Sequence, residues 1–172
     1  MSVPEGVIFD LDQTLVDSSI AEAERKCRNW RGVYELIPKF KIYDGIFETI
    51  EFIKNQNIQI CILTSSPSVY CEKMLNFFQL PYDQKVCYHD TKKHKPDPEP
   101  FKKALSLMRL EAKDVFAFGD KPEDSVGANR ASIPNAICTW GTVRQKYDFE
   151  IENDTYSVIN FVPEILNCIG LK

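Results

Sequence analysis

Short, mostly apolar runs recur along the chain, each closed by a polar or turn-forming residue. Residues 6–9 (GVIF) stop at Asp10, 58–63 (IQICIL) at Thr64 and 115–118 (VFAF) at Gly119. Weaker runs occupy 85–88 (KVCY), 135–139 (NAICT) and 156–159 (YSVI). Runs of this length, apolar at consecutive positions, predict strands of a sheet covered on both faces. Between them the period lengthens. Ile46, Ile50 and Ile53 recur at helical spacing and predict a helix to about residue 54. Residues 69–78 and 98–108 each follow Ser, Asp and Pro residues suited to a helix start, and 124–131 and 163–169 complete the set. Strand alternating with helix predicts an α/β protein: a Rossmann-like three-layer α/β/α sandwich around a central parallel sheet. Residues 18–44 interrupt the alternation with a polar, basic segment. It is expected to hold a helix over 18–30 and then a mixed stretch with Pro38 and Tyr43, a small helical insertion after the first strand.

At 172 residues, 44% hydrophobic and 27% charged, the chain suits one packed domain spanning 1–172, with no internal repeat or linker to mark a second. A formal net charge of -4 argues against nonspecific nucleic-acid binding, because an acidic surface repels phosphate backbones; a local basic patch can still attract an anion. Cysteines at 27, 61, 71, 87, 138 and 168 form no CxxC pair, which favours reduced thiols over a zinc site or disulfide framework. The first ten residues lack a basic region followed by a long apolar run, and no stretch of about 18 apolar residues occurs. A cytoplasmic location is therefore expected, with no membrane partner and an oligomeric state left open.

Candidate chemistry follows from where the strands end. In an open parallel sheet, ligands gather at the carboxyl ends of the strands. The first strand is followed by Asp10-Leu11-Asp12-Gln13-Thr14 and the second by Thr64-Ser65-Ser66. Lys95-Pro96 comes a few residues after the third, and Gly119-Asp120 follows the fourth, with Asp124 four residues on. Carboxylates, hydroxyls and an ammonium on one rim suit a hard divalent cation facing an anion. A carboxylate can attack phosphorus if the charge of the phosphoryl group is offset. Asp12, two residues from Asp10, is placed to protonate a leaving alcohol and then to activate water.

These segments resemble the four motifs of the haloacid dehalogenase-like hydrolases. DLDQTL resembles the first (DxDxT), ILTSS the second, KPDPEPF the third and GDKPED the fourth (GDxxxD). VDSS after the first motif and TWGT at 139–142 resemble the phosphoglycolate phosphatase-like branch. The resemblance implies a magnesium-dependent phosphatase acting on a phosphomonoester through an aspartyl-phosphate. Asp10 would be nucleophile and metal ligand. Asp12 would be the general acid/base and would give the metal its backbone carbonyl. Thr64, Ser65 and Lys95 would hold the phosphate, and Asp120 and Asp124 would complete the Mg2+ site. The substrate would be a phosphorylated small molecule or the phosphorylated end of a macromolecule. A phosphomutase or phosphotransferase on the same residues, or a non-catalytic domain of the same fold, are the alternatives.

Several features depart from the pattern. Lys121 stands where relatives often carry a small residue, and Arg25, Lys26, Arg28, Arg31, Lys92, Lys93 and His94 are further cations able to rim a cleft. His89 and His94 are the only histidines, and Asp12 already fills the role either would have. Trp30, Tyr43 and Trp140 read as packing residues. The insertion at about 18–44 resembles a minimal cap. It leaves the site open to a large substrate that covers it, or to a subunit that lends the cover.

Overall fold

A computed structural model describes residues 3–141 and 156–171. The strands are β1 (Gly6–Phe9), β2 (Val16–Asp17), β3 (Lys41–Ile42), β4 (Gln59–Leu63), β5 (Gln84–Val86), β6 (Val115–Gly119), β7 (Asn135–Cys138) and β8 (Ser157–Ile159). The helices are α1 (Glu22–Lys26), α2 (Trp30–Leu36), α3 (Ile46–Asn55), α4 (Ser68–Phe78), α5 (Glu99–Met108), α6 (Pro122–Arg130) and α7 (Glu164–Cys168). Six strands form one sheet in the order β5-β4-β1-β6-β7-β8, and every pairing in it is parallel. β2 and β3 pair antiparallel as a separate two-stranded ribbon.

The strands can be apolar throughout because both faces are covered. Alternate residues point to opposite sides. Val7, Phe9, Ile60, Ile62 and Phe118 share one core with Ile46, Ile50 and Ile53 of α3, Tyr70 and Met74 of α4, and Ile165 of α7. Ile8, Cys61, Leu63 and Ala117 share the other with Phe101 and Ala104 of α5 and Ala128 of α6. The expected three-layer sandwich is what the chain forms. The connections through α3 and α4 lead outward from β1 to β4 and β5, α5 crosses back from β5 to β6, and α6 leads outward on the other side to β7. The winding therefore reverses between β1 and β6, which are neighbours. That reversal leaves a crevice at the carboxyl ends of the two strands.

The insertion differs from expectation. Instead of one helix over 18–30, a 3-10 turn at Ser19–Ala21 runs into the five-residue α1, and α2 begins separately. The chain reverses at Arg28, whose φ is 55°, and the Asn29 side chain accepts a hydrogen bond from the Gly32 N–H at 3.3 Å. An asparagine that caps a new helix competes with continuation of the old one. The mixed stretch after it contains the rest of α2, a 3-10 turn at Ile37–Lys39 and β3. α6 opens at Pro122, two residues before the expected start, with Asp124 as its third residue. All six cysteines are free, and four are buried; Cys27 is exposed. No helix among the described residues is long and apolar enough to cross a membrane.

Candidate active site

The crevice gathers what the strand ends supply. Asp10 follows β1, and its N–H donates to the Phe118 carbonyl of β6 at 2.9 Å, which locks the two strand ends together. One oxygen each of Asp10, Asp120 and Asp124 lies within 4.8 Å of the others. Lys95, on the loop before α5, reaches in with its side chain only 6% exposed. Its Nζ donates to Asp10 Oδ1 at 2.7 Å and to the Leu63 carbonyl at 2.8 Å, and lies 2.6 Å from Asp124 Oδ1. Asp124 is fixed from behind by the Lys121 N–H, which donates to its other oxygen at 3.0 Å. Gly119 makes that approach possible: a Cβ there would lie 2.4 Å from the Asp124 Cβ and Cγ.

Charge is concentrated here at a cost. Burial, followed by the neighbouring Asp124 and Asp12 charges, pushes the Asp10 carboxyl up to about 7 even though Lys95 pulls it down. Burial and the charges of Asp10 and Asp124 push Asp120 up to about 8. Burial opposes the Lys95 ammonium, but Asp10 and Asp124 hold it protonated well above its ordinary range. Asp120 Oδ1 is buried without a hydrogen-bond partner among the described residues. A buried orphan oxygen beside two more carboxylates fits a hard dication that would satisfy all three at once.

Thr64 is buried at the end of β4, with its N–H on the Val86 carbonyl and its Oγ1 accepting from the Ser66 N–H at 3.1 Å. Ser65 is exposed beside it, and both line a cleft of about 650 Å³ with Asp10, Asp12, Lys95 and Asp120. All the residues singled out for the site therefore come to one crevice, with a division among them. The Asp12 carboxylate is not part of the acidic cluster. It accepts hydrogen bonds from Ser18, Arg25, Ser66 and Tyr70. Of these partners, Arg25 was legible only as one rim cation among several, and Tyr70 carried no signal beyond its place on the buried face of α4.

The other candidates separate as follows. Arg25, Lys26, Arg28 and Lys121 line the cleft; Arg31, Lys92, Lys93 and His94 do not. Arg31 faces solvent beside Glu35, and His94 stacks on Tyr88 with ring centroids 3.9 Å apart. Trp140 donates to the Thr14 carbonyl at 3.0 Å and Tyr43 to Gln13 Oε1 at 3.0 Å, so both brace the first motif from behind. Trp30 packs on Tyr70 with centroids 5.8 Å apart. Thr142, the last residue of TWGT, lies outside the described residues.

A doubly wound parallel sheet, with three carboxylates and a buried lysine at its switch point, defines the class: an α/β protein whose crevice gathers acidic and basic groups at the strand ends. A family model described as haloacid dehalogenase-like hydrolase matches residues 21–138, and the chain belongs to that family. The pyrophosphatase PpaX of Halalkalibacterium halodurans is 26% identical over 132 residues, 76% of this chain and 60% of its own length. PpaX of Bacillus cereus is 31% identical over 100 residues, 57% of this chain and 46% of its own length. The chain thus spans less than two thirds of these relatives. Among solved structures, CbbY of Rhodobacter sphaeroides in complex with phosphate is similar at a TM-score of 0.80 and 15% identity, covering 98% of this chain and 100% of its own. A HAD-superfamily hydrolase of Ehrlichia chaffeensis is similar at 0.74 and 20%, covering 99% and 98%. At these identities the structures speak for the fold.

Proposed function

We propose that the protein is a magnesium-dependent phosphatase that hydrolyses a phosphomonoester through an aspartyl-phosphate on Asp10. The observation that carries this is the meeting of Asp10, Lys95, Asp120 and Asp124 at the reversal between β1 and β6. The whole chain is read as one core domain with a minimal cap at about 18–44. The substrate is a phosphorylated small molecule or macromolecule end, and the site acts away from membranes, in the cytoplasm.

Asp10, Asp120 and Asp124, with the Asp12 backbone carbonyl, would hold Mg2+, which when bound supplies positive charge opposite the phosphoryl oxygens. Lys95 supplies a second positive charge, Thr64 offers its hydroxyl, and Ser65 its hydroxyl and N–H, to the same oxygens. The Asp10 carboxylate forms a bond to phosphorus as the bond to the leaving oxygen breaks. The electron pair goes to that oxygen, which takes a proton from Asp12. Asp12 then takes a proton from water, the water oxygen bonds to phosphorus, and Asp10 is released with inorganic phosphate. The relatives named as pyrophosphatases make inorganic pyrophosphate one compound for the substrate panel.

The test is hydrolysis of 4-nitrophenyl phosphate and a panel of phosphorylated metabolites, with magnesium present. Asp10→Asn is expected to lower kcat by about 10³-fold or more, the scale of losing a nucleophile. Retention of full activity in that variant would remove Asp10 from the role. Purified chain that turns over nothing, and whose melting temperature magnesium does not raise, would favour a non-catalytic domain.

A further inference from the structure

We propose that Arg25, on the short insertion, is the positioning residue for Asp12, and that it makes Oδ2 the oxygen at which Asp12 gives and takes the proton. This rests on the phosphatase reading above and deepens it. Asp12 Oδ1 is crowded by three donors. Tyr70 Oη donates to it at 2.6 Å, and the Ser18 hydroxyl and the Arg25 guanidinium donate to it as well. Oδ2 has one donor among the described residues, the Ser66 hydroxyl at a loose 3.2 Å. An oxygen holding three donors has no lone pair left for chemistry, whereas its partner has room. Arg25 differs from the two hydroxyls in that its donor is itself ionised, so its hydrogen bond is also an ion pair.

Arg25 is itself held in place. Its Nη1 lies 2.6 Å from Ser18 Oγ and 3.4 Å from Tyr70 Oη, and its side chain is only 18% exposed. Tyr70 is fully buried, with Trp30 of α2 packed on its ring. Two of the donors on Oδ1, Ser18 and Arg25, belong to the insertion, and Tyr70 belongs to the core. The short insertion is therefore part of the acid/base apparatus: it ties up Oδ1 of Asp12 and leaves Oδ2, held only by Ser66, to exchange the proton. Without the guanidinium, rotation about the Cβ–Cγ bond would exchange the two oxygens and misalign the proton.

The experiment compares kcat/KM on 4-nitrophenyl phosphate, whose leaving group departs readily, with phenyl phosphate, whose poorer leaving group needs the proton. Arg25→Met, Arg25→Lys and Tyr70→Phe are measured beside the wild-type chain with saturating magnesium. Arg25→Met is expected to lose about 10²-fold on phenyl phosphate, on the scale of general acid catalysis, and at least tenfold less on 4-nitrophenyl phosphate. Arg25→Lys recovers part of the loss, because an ammonium still donates to Oδ1. Tyr70→Phe gives the same asymmetry in smaller measure and serves if the Arg25 variants fail to fold. Equal losses on both substrates would make Arg25 a substrate-binding residue and overturn the proposal, as would no loss at all. A wild-type chain inert on both substrates would overturn the phosphatase reading itself.

Discussion

At the residue scale, the site depends on close approach between groups that ordinarily stay apart. Gly119 is the clearest case, because the space its missing side chain leaves is taken by the Asp124 carboxyl group. Gly119→Ala is therefore expected to push Asp124 away from Lys95 and out of the acidic cluster. The loss should be about 1–3 kcal/mol of stability by overpacking, with a weaker response to magnesium. Urea unfolding and a magnesium titration of the melting temperature check both; an unchanged titration would show that Asp124 tolerates the shift. Lys95 carries the opposite burden. Its ammonium is buried against two carboxylates, so removing it leaves those charges unpaired as well as depriving a phosphoryl group of a partner.

At the element scale, α3 shows how the sandwich is held. Ile46, Ile50 and Ile53 are wholly buried on one face, while Glu51 is exposed on the other. Ile50→Ala is expected to cost about 2–5 kcal/mol in urea unfolding, from lost transfer energy and the cavity left behind. Glu51→Ala should stay within about 0.5 kcal/mol. Equal effects would mean that α3 does not pack as described. The elements that carry the sheet were legible because their patterns are strong: GVIF, IQICIL and VFAF are apolar at nearly every position and stop at polar residues. Each lies within a residue of β1, β4 and β6. The insertion was not legible in the same way. α1 and α2 are five and seven residues long, too short for periodicity to declare them, and the reversal between them falls on Arg28 and Asn29 rather than on a glycine or proline. The ribbon of β2 and β3 is two residues per strand, below what alternation can reveal.

At the scale of the whole molecule, the proposed metal site ties stability to pH. The folded-state carboxyls of Asp10 and Asp120, at about 7 and about 8, lie above the ordinary value of 3.8. For an acid with a raised value the fold favours the protonated form. The contribution of these two groups to stability is thus intact below about pH 4 and is lost as pH rises toward 8. A dication bound there would reverse the preference, and at pH 6 it would first have to displace protons from both. Magnesium is therefore expected to raise the melting temperature more at pH 8.5 than at pH 6, by differential scanning fluorimetry at one magnesium concentration. Equal gains at the two pH values would mean that the metal does not engage these carboxylates.

The sequence by itself determined the strands of the central sheet, the order of the four motifs and the polar groups that follow the strands. Apolar runs that end in carboxylates, hydroxyls and a lysine leave a parallel sheet little choice about where those groups emerge. Only the tertiary structure decided how the carboxylates divide. Asp10 and Asp12 are two residues apart, yet one joins Asp120, Asp124 and Lys95, and the other turns to Ser18, Arg25 and Tyr70. Partners that lie 13 and 58 residues away along the chain leave no local pattern. Their meeting is set by how the insertion and α4 pack against the end of β1, which no periodicity in the chain encodes.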